Sequence, residues 1–450
     1  MTTSASSLKL NLDDWEKEAT KKLSETALVP GTLDYFASGA CDEVTLQRNI
    51  DSFQEVSLVP RVLIDVSNSS ITSSILGFQS AFPFGIAPTA FQRLVDTDGE
   101  LNTSRAAAKL HVPYCVSSFA TSSLEDIASA GGPTGIRLMQ LYAMENRKVT
   151  QNIIERAEKN GYKAIVLTVD RPVLGRRESN LRSKFDVPWD LHRDPNRLNG
   201  IDLNISSGAA ATSSRGVSAG ASALYAAVSS SLNWDDVQWI KTITTLPIIL
   251  KGIVSAEDAR LAVKAGVAAI WISNHGGRQL DCSVSGLDVL PMITCAIRDE
   301  EERLDRNSLS FFYKNNSLRK RRIEIYVDGG IRRGTDVIKA LALGADFVFI
   351  GRPIIWGLTV SGEEGVKQVL TTLAEETLNA MQLLGVTNVS QIERDHVVQK
   401  GIRYFEHHHH HHHHRKYWKD RNGKRFFEVS TSLLLGVALG FILSTRYKLY

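Results

Sequence analysis

Eight short apolar runs punctuate the chain, at residues 84–87, 112–116, 136–139, 164–167, 247–250, 268–272, 323–327 and 347–350. Runs of this length, apolar almost throughout, are what strands buried on both faces look like. Most are followed by a stretch whose apolar positions recur at helical spacing. Residues 255–266 are an example, with Ser255 placed to cap the start and Gly266 to close the end. Strand and helix alternating in this way predict parallel βαβ units. From residue 84 to residue 350 the pattern has the length of an α/β protein of the (β/α)₈ TIM-barrel class, about 250 residues.

The runs end on polar or glycine-containing groups. In order these are Pro88-Thr89-Ala90, Ser117-Ser118, Gln140-Leu141-Tyr142, Thr168-Val169-Asp170, Lys251, Ser273-Asn274-His275, Asp328-Gly329-Gly330 and Gly351-Arg352. In a barrel these C-terminal strand ends converge on one face, where active sites sit. The last two belong to the loops that commonly hold phosphate. Glycine amides supply donors there and arginine supplies charge, with Arg332 and Arg333 adding to it. The same glycines would also serve plain strand-to-helix turns.

The sixth run leads into Ser273-Asn274-His275-Gly276-Gly277-Arg278-Gln279-Leu280-Asp281. A histidine can take a proton near neutral pH, glycines allow close backbone approach, and arginine grips a carboxylate with two parallel hydrogen bonds. Base, close approach and clamp suggest chemistry on a small acid. Taken alone, the tetrad His-Gly-Gly-Arg reads equally well as a polar turn capping the next helix.

Composition narrows the setting. The 450 residues are 43% hydrophobic and 22% charged, with a net charge of +3, enough for a large core and too little charge for a nucleic-acid partner. The four cysteines, Cys41, Cys115, Cys282 and Cys295, form no CxxC pair, which argues against a zinc site or a disulfide scaffold and for a reducing, intracellular compartment. Residues 1–14 contain no apolar core of a secretory leader. No metal site is expected.

Further segments complete the pattern: Asp34-Tyr35-Phe36-Ala37-Ser38-Gly39-Ala40, Leu167-Thr168-Val169-Asp170, Leu174-Gly175-Arg176-Arg177-Glu178, and Asp328-Gly329-Gly330-Ile331-Arg332-Arg333-Gly334-Thr335-Asp336. Together with residues 87–90 and 273–281, they make the chain resemble the FMN-dependent 2-hydroxy-acid oxidases and dehydrogenases, in particular their glycolate- and lactate-oxidizing members, from about residue 35 to about residue 385. The resemblance implies FMN lying across the barrel mouth. Pro88, Thr89, Ala90, Ser117, Gln140, Tyr142 and Thr168 would contact its ring and ribityl chain, with Lys251 and Ser273 also against the flavin. Asp328, Gly329, Gly330, Ile331 and Arg332 would hold the ribityl and phosphate end, and Gly351 and Arg352 the phosphate. His275 matches the family's base and Asp170 its partner carboxylate, with Tyr142 and Arg278 beside them in the catalytic set. Tyr35, Tyr142, Arg177, His275 and Arg278 match the substrate-binding set.

The implied reaction converts an (S)-2-hydroxy acid to the 2-oxo acid, with oxygen taking the electrons to give hydrogen peroxide. A quinone or cytochrome acceptor is the alternative, and a membrane-tethered flavoprotein without turnover the remote one. Members often form tetramers, so a homo-oligomer is expected. Phe119 stands where glycolate-oxidizing members often carry tryptophan, and it joins the substrate-binding set with a preference for acids other than glycolate.

Four regions surround the pattern. Residues 11–82 read as an N-terminal helical cap bringing Tyr35 to a barrel of residues 83–385. Residues 182–231, rich in Ser, Ala and Gly toward their end, read as a mobile loop, and 299–322, with Arg319-Lys320-Arg321-Arg322, as an insertion. Residues 386–428 read as a linker holding eight consecutive histidines, 407–414. Residues 429–444 are apolar and uncharged between basic, aromatic flanks. They are short against the roughly 20 residues a bilayer needs, yet fit a transmembrane tail anchor in a thin organelle membrane, peroxisomal or outer mitochondrial. Without an anchor the expectation is cytoplasmic or peroxisomal.

Overall fold

A computed structural model describes residues 8–188, 227–307 and 322–400, with two further strands at Tyr417–Lys419 and Arg425–Phe427. The eight apolar runs become β1 Phe84–Ile86, β2 Tyr114–Val116, β3 Arg137–Leu141, β4 Ile165–Thr168, β5 Ile248–Ile253, β6 Ala269–Ile272, β7 Glu324–Asp328 and β8 Phe347–Ile350. Each pairs in parallel with its neighbour in sequence, and β8 returns to β1 to close the barrel. Closure leaves no sheet edge exposed.

Alternation along the strands separates two apolar layers. Phe347 and Phe349 of β8 join Trp271, Tyr326, Leu138, Val166 and Ile249 in the barrel interior, while Val348 and Ile350 join the layer against the helices. Trp271 and Phe349 stack with centroids 3.8 Å apart. The lower end is stopped by the hairpin Ser73–Ile75 and Phe78–Ser80, whose Ile75 and Leu76 enter the interior cluster. The Leu76 amide donates to both carboxylate oxygens of Glu324, the first residue of β7, at 3.1 and 2.9 Å.

Three N-terminal helices, α1 Leu12–Thr26, α2 Thr32–Ala37 and α3 Val44–Gln54, lie outside the barrel. Helix α1 packs along the final helical stretch Arg352–Leu383, which breaks at Ser361 and Gly362, and Lys22 Nζ donates to the Thr359 carbonyl at 2.7 Å. Helix α3 is tied down by Arg48, which reaches Asp288 at 2.7 Å and Glu55 at 2.6 Å.

Several boundaries differ from the sequence reading. The segment 11–82 is not helical throughout: Val56–Leu58 is a strand, and the floor hairpin follows it. Val56–Leu58 pairs antiparallel with Val397–Gln399, inside the stretch expected to be linker. Three-residue strands carry too few positions for a periodic signal, so neither could be read locally. A second antiparallel pair joins Tyr417–Lys419 to Arg425–Phe427 in the same expected linker. The insertion expected from 299 begins later, because Gly286–Asn307 is one continuous helix. Residues 189–226 of the expected mobile loop, 308–321 of the insertion, the histidine run 407–414 and the tail-anchor segment 429–444 lie outside the described residues. Among the described residues, no helix is long and apolar enough to cross a membrane.

Candidate active site

The strand ends at the mouth surround a cavity of about 1080 Å³, counted with its opening to solvent. Its lining includes Tyr35, Pro88, Thr89, Ala90, Ser117, Phe119, Gln140, Tyr142, Thr168, Arg177, Lys251, His275, Arg278, Asp328, Gly329, Gly330, Ile331, Arg332, Gly351 and Arg352. Of the site residues named from the sequence, Asp170 and Ser273 stand one layer behind this lining, and Arg333 lies outside it, its guanidinium drawn to Glu376 at 3.0 Å rather than to the phosphate loops. Asp170 Oδ1 lies 3.0 Å from His275 Nδ1, and the Ser273 hydroxyl accepts a hydrogen bond from Lys251 Nζ at 2.7 Å.

The imidazole is oriented from both sides. An ionised carboxylate only accepts, so Asp170 holds a proton on Nδ1 and leaves the neutral ring's lone pair on Nε2. Tyr142 OH stands 3.3 Å from Nε2 and is the donor in that arrangement. Burial pushes the His275 pKa down and Asp170 pulls it back only in part, so it stays below the ordinary 6.5. Burial would raise Asp170, but the adjacent His275, Lys251 and Arg171 charges more than offset this and hold it below the usual carboxylate value. Neutral base and ionised partner are the stable pair near neutral pH.

The loop after β6 does more than carry the base. His275 has φ 61, a left-handed conformation that costs a non-glycine residue about 1–3 kcal/mol, and its amide donates to Ser273 Oγ at 3.0 Å. Asn274 and Asn49 of α3 exchange side-chain amide bonds at 3.0 and 2.8 Å. Asp281 accepts from the Thr45 amide at 2.8 Å and the Asp42 amide at 3.1 Å, at the start of α3. Gln279 Nε2 donates to the Asp170 and Val173 carbonyls at 3.1 and 2.9 Å. Gly277 (φ 75) serves packing rather than approach to a ligand, as first read: an added Cβ would sit 2.7 Å from the Leu46 backbone. The loop thus clamps α2, α3 and the chain after β4 around the histidine.

Lys251 sits where β5 bulges at Gly252, whose φ of 112 and lack of a side chain let Asp170 pass; a Cβ there would meet the Asp170 Cβ at 2.6 Å. Its ammonium pairs with Asp328 Oδ2 at 3.1 Å. Burial would lower its pKa, but Asp328 and Asp170 outweigh that and raise it. Trp271 Nε1 also donates to Asp328 Oδ2 at 3.0 Å, whereas Asp328 Oδ1 is buried with no hydrogen-bond partner among the described residues. That oxygen is an acceptor in wait of a hydroxyl donor.

Guanidinium groups gather at the other end. Arg352 donates to the carbonyls of Phe36, Gly276 and Ser38 at 2.9, 3.1 and 2.9 Å. Burial, with Arg278 and Arg332 nearby, pushes its pKa down to about 9. A buried guanidinium repelled by others is a site prepared for a polyanion. Arg278 donates to the Tyr35 and Ser38 carbonyls at 2.5 and 3.1 Å and stands 5.0 Å from the Tyr35 ring centroid. Tyr35 stacks in turn on Phe185 at 4.6 Å.

Sequence reasoning missed Arg171, Phe36, Asn49 and Phe185. Arg171 had a signal, a charged residue directly after a strand-end aspartate. Asn49 had none, because its partner lies 225 residues away.

The chain is similar to known proteins over most of its length. The family model described as FMN-dependent dehydrogenase matches residues 24–399. Glycolate oxidase 1 of Zea mays is 42% identical over 388 residues, covering 86% of this chain and 95% of the relative. Glycolate oxidase of Spinacia oleracea is 41% identical over 388 residues, with the same coverage of both chains. Among solved structures, mandelate oxidase with (S)-4-hydroxymandelic acid superposes with a TM-score of 0.73 at 36% identity, covering 86% of this chain and 98% of that one.

Proposed function

This chain belongs to the FMN-dependent dehydrogenase family, and from that premise we propose that it oxidises (S)-2-hydroxy acids to 2-oxo acids, with dioxygen as acceptor. The hydroxy acid and O₂ become the oxo acid and H₂O₂. The observation that carries the reading is His275 Nε2, facing the cavity with Asp170 3.0 Å behind it at Nδ1 and two arginines beside it.

FMN supplies the redox chemistry, accepting two electrons that no side chain can take. The mouth suits it chemically: unpartnered Asp328 Oδ1 for a ribityl hydroxyl, the Arg332 and Arg352 cluster for phosphate, and Lys251 for the negative charge the ring gains. Ser117, Gln140 and Thr168 line the middle, where Gln140 Nε2 already donates to the Thr168 hydroxyl at 3.0 Å. Arg177 and Arg278 bind the substrate carboxylate, which excludes simple alcohols. Tyr142 steadies the substrate oxygen, and His275 Nε2 removes a proton as the Cα–H electrons depart. Asp170 stabilises the resulting imidazolium. Phe119 meets the substrate side chain and favours acids longer than glycolate.

Purified holoprotein should be yellow and bleach when a 2-hydroxy acid is added without oxygen, then recover its colour in air with one H₂O₂ formed per oxo acid. A colourless protein, or recovery only with a quinone, would overturn the cofactor or the acceptor respectively.

The pH dependence has a defined sign. The neutral imidazole is the active form, so kcat/KM should fall as pH drops through the His275 pKa, with that limb below 6.5. Asp170→Asn removes a group that raises this pKa, so the limb should move further down while the plateau drops by roughly 10²–10⁴. A limb that moves upward in the variant would contradict the assignment.

A further inference from the structure

We propose that Glu16 of α1 is the counter-charge of the arginine cluster, set to give way to the flavin phosphate, so that it steadies the flavin-free protein and weakens its hold on FMN. The inference rests on the FMN reading above and concerns only the charge balance at the phosphate end.

Helix α1 places this carboxylate firmly. Leu12, Trp15, Ala19 and Leu23 are buried at helical spacing, which fixes the helix, and Glu16 follows Trp15 at the margin of that packed face. Its Oε2 lies 3.7 Å from Arg332 Nε. Arg332 lines the cavity, with Nη1 donating to the Ile331 carbonyl at 3.0 Å. Helix α1 also packs along the helical stretch that starts at Arg352. The charge of Glu16 is felt there too: burial, Arg278 and Arg332 lower the Arg352 pKa, and Glu16 works against them.

Two carboxylates face neighbouring arginines at this end, and they differ in grip. Glu376 accepts from Arg333 Nε at 3.1 Å and from the Gly334 amide at 2.8 Å, and it pairs with Arg333 Nη2 at 3.0 Å. That set is a structural tie outside the cavity lining. At 3.7 Å Glu16 is too far from Nε for a hydrogen bond, so it holds Arg332 by charge alone. Such a partner can be given up without breaking a hydrogen bond. Crowded guanidinium groups repel one another, and one carboxylate relieves part of that repulsion. A phosphate with about two negative charges relieves more of it and bonds the donors directly. Glu16 is then a like charge beside the phosphate. The side chains of Arg332 and Glu16 are 15% and 36% exposed, so water screens the effect and keeps it modest.

The test measures equilibrium binding of FMN, and of riboflavin, which lacks the phosphate, to the flavin-stripped full chain by quenching of flavin fluorescence. Glu16→Gln should tighten FMN binding by about three- to tenfold, the size expected for removing one screened like charge, and leave riboflavin unchanged. Without flavin the same variant should melt about 1–2 °C lower than the wild type. The gain in FMN affinity should shrink in about 1 M salt, and Glu16→Asp, which keeps the charge, should show less of both changes. A glutamate with a merely structural role would lose stability and affinity together when replaced. Weaker or unchanged FMN binding by Glu16→Gln, or an equal shift for FMN and riboflavin, overturns the proposal and leaves the cofactor reading standing. A wild type that takes up no FMN brings both down.

Discussion

His275→Ala is expected to lose reduction of bound flavin by a 2-hydroxy acid while the protein stays yellow. The expected fall in the single-turnover rate is about 10²–10⁴-fold, the range for removal of a positioned general base. Nε2 of this ring is the lone pair turned toward the cavity, with Tyr142 OH 3.3 Å away, and Asp170 behind it is held ionised. The flavin should remain because Lys251, Asp328 and the arginine cluster are untouched. Alanine at φ 61 is strained much as histidine is, so His275→Asn is the companion variant, asparagine being at ease in left-handed backbone. Stopped-flow absorbance on both variants decides the matter. Rapid bleaching in both would remove His275 from the chemistry, and loss of colour in both would make it a structural residue.

Lys251→Met should be the most damaging single change to the fold at the mouth. Its ammonium is buried, 3.1 Å from Asp328 Oδ2 and 2.7 Å from Ser273 Oγ. Methionine fills the volume and removes the charge, leaving Asp328 buried with one oxygen already unpartnered. Breaking a buried pair from one side costs about 3–5 kcal/mol, whereas neutralising both partners costs less. Lys251→Met with Asp328→Asn should therefore recover a substantial part of the stability without restoring flavin affinity. Denaturant unfolding of the three proteins and flavin retention on gel filtration report the two quantities separately. A double variant no more stable than Lys251→Met would show that the two charges are not coupled.

The barrel was legible because its strands are buried on both faces and so read as continuous apolar runs, from Phe84 at the first to Phe347 at the last. The site was legible because its polar residues sit at the ends of those runs. What escaped were features set by partners distant in sequence. The strand Val56–Leu58 exists only through pairing with Val397–Gln399. Asn274 and Asp281 belong to the stretch that carries the base, yet what they do is anchor α3. Gly277 looked like a point of ligand approach and is a point of helix approach. Arg171 carried a signal in its place directly after the strand-end Asp170, but nothing local distinguishes a guanidinium directed to solvent from one set over two rings.

The hairpin plugged against Glu324 and the packed rings of Trp271 and Phe349 give this barrel a floor. Among the described residues the base is stopped, so in the reaction proposed above acid and product would share the mouth and pass through it by turns, the slower to leave setting the queue for the other.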